Sequence, residues 1–307
     1  MAKLAKYLGT YKPFAMNTSS THMKSSLAYL PAARRGELER VKEIIIDAVQ
    51  PEKVILFGVY GSAQEAEIFS GLPEGLSAYD LLVVTRNSER RSDYQLQDMI
   101  ENRCKDSRAV TILVHDIGYV NSRIAEGQCF FAAVRREGIL LYDSGGSALV
   151  QPGETNLEQV LRTAEQDFAR WCRQARAFLR SAQVMLDGGE WKVALFMLHQ
   201  AAEQMYQAIL LTFMGYKPTT HNLDKLRRYT NRFSIELALL FPRSEGEEDR
   251  LFRLLLSGYV EARYKDGFHV AEPDARLLTS RVGRLLEIGE RVCRNRMLAL
   301  EKQLAKL

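Results

Sequence analysis

Two short apolar runs with a polar loop between them constrain this chain more than any other feature. Val54-Ile55-Leu56-Phe57 runs into Gly58, and Leu81-Leu82-Val83-Val84 follows Ser77-Ala78-Tyr79-Asp80. Runs of this length, rich in branched residues and bounded by Gly, Ser or Pro, read as adjacent buried strands. Gly58 closes one and Asp80 opens the other. A loop backbone and a carboxylate therefore meet at one sheet edge, the layout of a phosphate-and-metal site.

Mixed elements surround that pair. Leu38, Val41, Ile44 or Ile45, and Ala48 recur at helical spacing until Pro51 stops the helix. Strands are expected at Lys53 to Phe57, Asp80 to Thr85, Val110 to Val114 and Ile139 to Tyr142, with a polar helix near Ser92 to Lys105 and another at Glu126 to Glu137. Helices and strands in this order imply an α/β sheet. Residues 1–22 have no period and carry the polar run Asn17-Thr18-Ser19-Ser20-Thr21, so a disordered leader is expected, with Met16 or Met23 as candidate starts. The α/β domain is assigned to 23–143.

Ser144-Gly145-Gly146-Ser147 and Pro152-Gly153 mark 144–156 as an interdomain linker. From 157 to 307 the spacing is helical throughout, with helices expected at about 157 to 186, 190 to 214, 222 to 231, 248 to 264 and 273 to 304. The second is the clearest, with Trp191, Leu198, Met205, Ile209 and Thr212 on one face. An all-α bundle follows.

Composition excludes several classes. No apolar run approaches the ~18 residues that span a membrane, and Met-Ala-Lys-Leu-Ala-Lys-Tyr lacks the apolar segment of a secretory signal, so a cytoplasmic protein with no membrane partner is expected. Cys104, Cys129, Cys172 and Cys293 are scattered without paired spacing, against both a zinc site and a disulfide framework. Acidic and basic residues balance up to residue 150, so the net +4 falls entirely in the second half. That excess is milder than a dedicated nucleic-acid binder usually carries.

The stretch Phe57-Gly58-Val59-Tyr60-Gly61-Ser62 with Ser77-Ala78-Tyr79-Asp80 resembles the minimal nucleotidyltransferase family. In that family a Gly-Ser pair after the first strand holds a nucleoside triphosphate, and an Asp-x-Asp pattern on the next strand binds divalent metal. The resemblance implies a nucleotide site, ATP-like, at Gly58, Val59, Ser62 and Asp80, with Mg²⁺ on Asp80. Asp116, or His115, is the candidate further ligand. Val59 stands where the family has its serine and Ala78 where it has its first aspartate. Transfer activity is thus expected to be weak or lost, the mark of a pseudoenzyme.

The second half resembles the HEPN family over roughly residues 160 to 290. Asp187-Gly188-Gly189-Glu190-Trp191, the run Ala194 to Glu203, Thr220-His221-Asn222-Leu223 and Tyr259-Val260-Glu261-Ala262-Arg263-Tyr264 carry the likeness. In the first half Ile112 to Asp116 and Gly138 to Asp143 match a subgroup in which the two domains are fused. This family implies a toxin–antitoxin or defence protein, RNA as a partner, and a homodimer through the helical domain. Its ribonucleases use an Arg, a spacer and a His, which maps onto Arg263 and His269 as catalytic residues.

On a continuous helix those two side chains would stand about 120° apart, so their convergence needs the break that Asp266-Gly267 offers. Three functions stay open: a nucleotide-binding protein of the transferase family, a metal-independent dimeric ribonuclease, and a non-enzymatic homodimerising module. His199 reads as a semi-buried hydrogen-bonded residue and His221 as a helix cap. Arg276, Arg281, Arg284, Arg291, Arg294 and Arg296 read as a solvated face paired with glutamates, with RNA contact as the alternative.

Overall fold

The computed structural model describes residues 23–59, 79–105, 110–241 and 246–306. The chain divides into two units, which meet in sequence at Asn156 and Leu157. In the first, α1 (Ala32–Val49) turns Leu38, Val41, Ile45 and Val49 inward. Gln50 then takes a left-handed φ of 45° and donates its N–H to the Ile46 carbonyl before Pro51 ends the helix.

Four strands follow: β1 (Lys53–Val59), β2 (Tyr79–Thr85), β3 (Val110–Asp116) and β4 (Ile139–Asp143), in the order β3-β2-β1-β4. β1 runs antiparallel to β2 and β4, whereas β2 and β3 are parallel, so the sheet is mixed. Every residue of β2 is buried. Its unbroken apolar run requires this, because alternate residues face opposite sides and both sides must be covered. Leu81 and Val83 join Leu38, Val41 and Ile45 of α1 with Leu96 and Ile100 of α2 (Asp93–Arg103) in one core. Leu82, Ile55 and Leu113 are buried on the other face. A register shift between Leu56 and Gly58 bulges β1 at Phe57, whose ring meets Phe130 edge-on at 5.2 Å.

The helix expected at Glu126 to Glu137 forms as α4 (Cys129–Glu137), and an unexpected one, α3 (Ile117–Ala125), precedes it. Asp116 starts α3 by accepting from the Tyr119 N–H at 2.8 Å. Gly127, at φ 67°, ends it where a Cβ would overlap the Glu154 carbonyl. The stretch expected to link the domains is itself tied to the first unit. Val150 N–H donates to Asn121 Oδ1 at 3.0 Å, Gly153 N–H to the Ile124 carbonyl at 3.0 Å, and Thr155 Oγ1 to the Gly127 carbonyl at 3.1 Å.

The second unit is all helical: α5 (Leu157–Asp187), α6 (Trp191–Met214), α7 (Leu223–Asn231), α8 (Ile235–Leu240), α9 (Glu247–Ser257), α10 (Glu261–Tyr264) and α11 (Glu272–Leu304). α6 is buried along nearly its whole length and forms the centre of the bundle. Gly189 at φ 79° turns the chain into it, and Gly215 at φ 61° ends it. The helix expected from 248 to 264 is broken into α9 and α10 at Gly258. There the backbone passes so close to α6 that a Cβ would lie 3.0 Å from the Leu195 carbonyl. α8 had no counterpart among the expected helices. No described helix is long and apolar enough to cross a membrane.

Candidate functional site

At the sheet edge, register pairs Gly58 with Asp80 and Val59 with Tyr79. Asp80 is fully buried, and a Cβ on Gly58 would overlap its carboxylate and lie 3.1 Å from Cγ. Glycine is therefore needed here to let a carboxylate close over the backbone. Ser62 and Ala78 lie outside the described residues.

Asp116 does not join Asp80. Asp80 pairs with Thr111 and Asp116 with Thr85 across parallel β2 and β3. At ~3.3 Å per residue that places the two carboxylates about 16 Å apart, so no single ion reaches both. The expected metal pair is corrected on this point: Asp116 is the cap of α3. His115 is likewise engaged, with Nδ1 2.8 Å from Asp93 Oδ2 and its ring 4.6 Å from that of Tyr119. Among the described residues no group of three or more His, Cys, Asp or Glu side chains could hold a metal ion. A single fully buried carboxylate does not fit a two-metal transfer site.

The helical unit gathers more polar chemistry. Phe196, the adjacent pair His199 and Gln200, Glu203 and Gln207 follow one another at three or four residues along α6, and so share one face. The Glu203 side chain, 3% exposed, accepts from Gln207 Nε2 at 3.1 Å and Gln200 Nε2 at 3.2 Å, and pairs with His221 Nδ1 at 2.8 Å. His221 stands before α7 but does not cap it: Asn222 Oδ1 accepts from the N–H groups of Asp224 and Lys225. The cap expected of His221 falls to its neighbour, and the imidazole is free to turn toward α6.

Tyr259 is the hub of the cluster. Its ring stacks on His221 at 5.3 Å and 10°, meets His199 at 5.1 Å and lies under the Arg263 guanidinium at 4.3 Å. Arg263 also covers Tyr264 at 4.8 Å and Phe196 at 5.4 Å, and its Nε donates to the Tyr259 carbonyl at 2.5 Å. The residue is exposed, and no carboxylate pairs with it among the described residues. Burial first, and then the neighbouring His221 and Arg263, push the His199 imidazole down to about 3. It is neutral near pH 7, and its 3.9 Å approach to Glu203 is not a charge pair.

His269 is exposed in the connection between α10 and α11, with no polar or ring partner among the described residues. No hydrogen bond or ring contact joins it to Arg263. The histidines that share Arg263's ring platform are instead His199 and His221. One signal for this cluster was readable, the i, i+4 spacing of His199 and Glu203. The pairing of Glu203 with His221 spans a turn and leaves no periodic trace. On α11 the arginines are paired, Arg276 with Glu272 and Arg284 with Glu287, while Arg296 is buried against Phe213.

Residues 168–292 match the model of the HEPN domain family. A nucleotidyltransferase-like protein of known crystal structure, from Exiguobacterium sibiricum 255-15, is similar over 84% of this chain and 90% of its own, at 14% identity and a TM-score of 0.23. No curated protein matches the chain.

Proposed function

We propose that this chain, in which a mixed α/β unit precedes a HEPN domain at residues 168–292, cleaves RNA without a metal ion through the Arg263 platform of its helical unit. Arg263 carries the reading. It is an exposed guanidinium held over three aromatic rings by one backbone hydrogen bond, with no carboxylate partner among the described residues. A planar fork of donors beside aromatic faces suits a phosphodiester flanked by bases, the phosphate taken by charge-assisted hydrogen bonds and a base by stacking.

RNA brings its own nucleophile, the 2′-hydroxyl, so the protein needs only to hold the phosphate and move a proton. The resemblance to HEPN ribonucleases names His269 as the candidate for the proton. The active form in this reading is a homodimer through the helical unit. Val260 and Tyr264, 55% and 72% exposed around Arg263, support a second copy covering that segment. Replacing Arg263 with Ala is expected to lower the rate of RNA cleavage by about 10²–10³-fold, the usual loss for one anion-stabilising donor. Initial rates on a labelled single-stranded RNA measure it, and an Arg263→Ala chain as fast as the intact one rejects the role.

A second reading concerns the first unit alone: a nucleotidyltransferase-like sheet that binds a nucleoside triphosphate without transferring it. The close seat of Asp80 on Gly58 favours it, since that carboxylate is packed into the sheet edge and not presented as one of two metal ligands. Calorimetric titration with ATP is then expected to give similar binding with and without Mg²⁺. Binding found only with Mg²⁺ would restore a metal site, and no binding would end the nucleotide reading.

A further inference from the structure

The imidazole best placed to take a proton beside Arg263 is not the one that the HEPN resemblance implies. Resting on the RNA reading above, we infer that Glu203 and His221 form a carboxylate–imidazole pair that accepts the 2′-hydroxyl proton while Arg263 holds the scissile phosphate. Three donors converge on Glu203: His221 Nδ1 at 2.8 Å, Gln207 Nε2 at 3.1 Å and Gln200 Nε2 at 3.2 Å. Such a set fixes the direction of the carboxylate.

A carboxylate facing Nδ1 makes that nitrogen the donor and leaves the lone pair on Nε2. The His221 side chain is 62% exposed, so the edge turned away from Glu203 is the accessible one. Tyr259 then fixes the plane of the imidazole by stacking at 10°, and the same ring supports the guanidinium of Arg263. Base and phosphate holder are thus set on one aromatic side chain. The charged and titratable groups around His221 are Glu203 and His199 from α6 and Tyr259 and Arg263 from the segment after α9, and His199 is neutral near pH 7.

The step balances without a further reagent. Nε2 of His221 takes the 2′-hydroxyl proton, the 2′-oxygen bonds to phosphorus, and the bond from phosphorus to the 5′-oxygen breaks. The departing oxygen takes a proton from water, and the imidazolium returns its own to the solvent. The products are a 2′,3′-cyclic phosphate and a 5′-hydroxyl. Glu203 is a positioning residue in this scheme, and His221 the catalytic one.

The test compares the intact chain with His221→Gln, Glu203→Gln and His269→Ala on a short single-stranded RNA, over a range of RNA concentration. His221→Gln is expected to lose about 10²–10⁴-fold in rate, the span of general base catalysis. Glu203→Gln keeps the volume of the buried site but removes the carboxylate that fixes Nδ1 of His221 as the donor. Its kcat is therefore expected to fall by about 10²–10⁴-fold with KM little changed, a split that a merely structural role would not give. A His221→Gln chain that cleaves at the intact rate overturns the pairing. If His269→Ala then abolishes cleavage, the RNA reading survives on His269. An unchanged kcat in Glu203→Gln overturns the part given to Glu203, and an intact chain that cleaves no RNA overturns both the pairing and the reading beneath it.

Discussion

Replacing Arg227 with Ala is expected to destabilise the helical unit by about 3–5 kcal/mol, the cost of breaking a buried charged pair from one side. Arg227 is 2% exposed, yet it carries a full charge into the junction of three helices. From α7, Nη1 donates to the Phe241 carbonyl at the end of α8 and Nη2 to Asp224 Oδ1, both at 2.7 Å. Its guanidinium also lies 4.9 Å from the ring centroid of Phe252 on α9. Truncation strands a helix-terminal carbonyl and leaves Asp224 with Arg228, 3.4 Å away, in place of two arginines, while the space left behind adds a cavity term. Arg227→Lys keeps the charge but not the fork, so it falls between Ala and the intact chain. Urea unfolding followed by tryptophan fluorescence reports this unit selectively, because the two tryptophans, Trp171 and Trp191, both lie in it. A loss under about 1 kcal/mol for Arg227→Ala would mean that the side chain does not hold the junction together.

The second large effect is on acid stability. Burial holds the His199 imidazole at about 3 in the folded chain, against ~6.5 when unfolded. Between those values the unfolded chain binds a proton that the native one refuses. Stability is therefore fully present above about pH 6.5 and falls by about 1.4 kcal/mol per pH unit as the pH drops toward 3. Over the whole window the loss is of order 4–5 kcal/mol. His199→Gln keeps a polar side chain under Tyr259 but cannot bind that proton. At neutral pH it is expected to be the less stable chain, and its deficit is expected to shrink and then reverse as the pH falls. The same fluorescence melts at pH 7, 6, 5 and 4 measure this. A difference between the two chains that stays constant with pH would show that His199 accepts its proton inside the fold.

How much of this was legible in the sequence depends on the range of the interaction. The apolar runs from Val54 and Leu81 became paired strands because each carries its own pattern, and α6 formed where Trp191, Leu198 and Met205 repeat. The likeness to HEPN read over about 160 to 290 coincides with the family match at 168–292. Helix α3, which starts on the Asp116 cap directly after β3, was not read at all. What else could not be read was set by distant backbone. Gly258 splits α9 from α10 against the Leu195 carbonyl. That partner is not visible in the local run. Parallel register sent Asp116 to the far end of β3 from Asp80. Strand direction, which the residues of a single strand do not encode, decided the matter.

The same limit explains the helical site. Arg263 was visible through the Arg–spacer–His pattern that the HEPN resemblance implies, a relation along the chain. Its neighbours on Tyr259 are related to it only across the bundle, His199 from the buried helix and His221 from the turn before α7. The guanidinium thus sits in a richer setting than the spacing suggested.

The most direct test of RNA cleavage at the Arg263 platform is the rate on single-stranded RNA with and without an excess of metal chelator, for the intact chain and for Arg263→Ala. Equal rates for the intact chain in both conditions, and a loss of about 10²–10³-fold in the variant, are the expected result. Cleavage that stops on chelation, or that survives the loss of Arg263 unchanged, would contradict it.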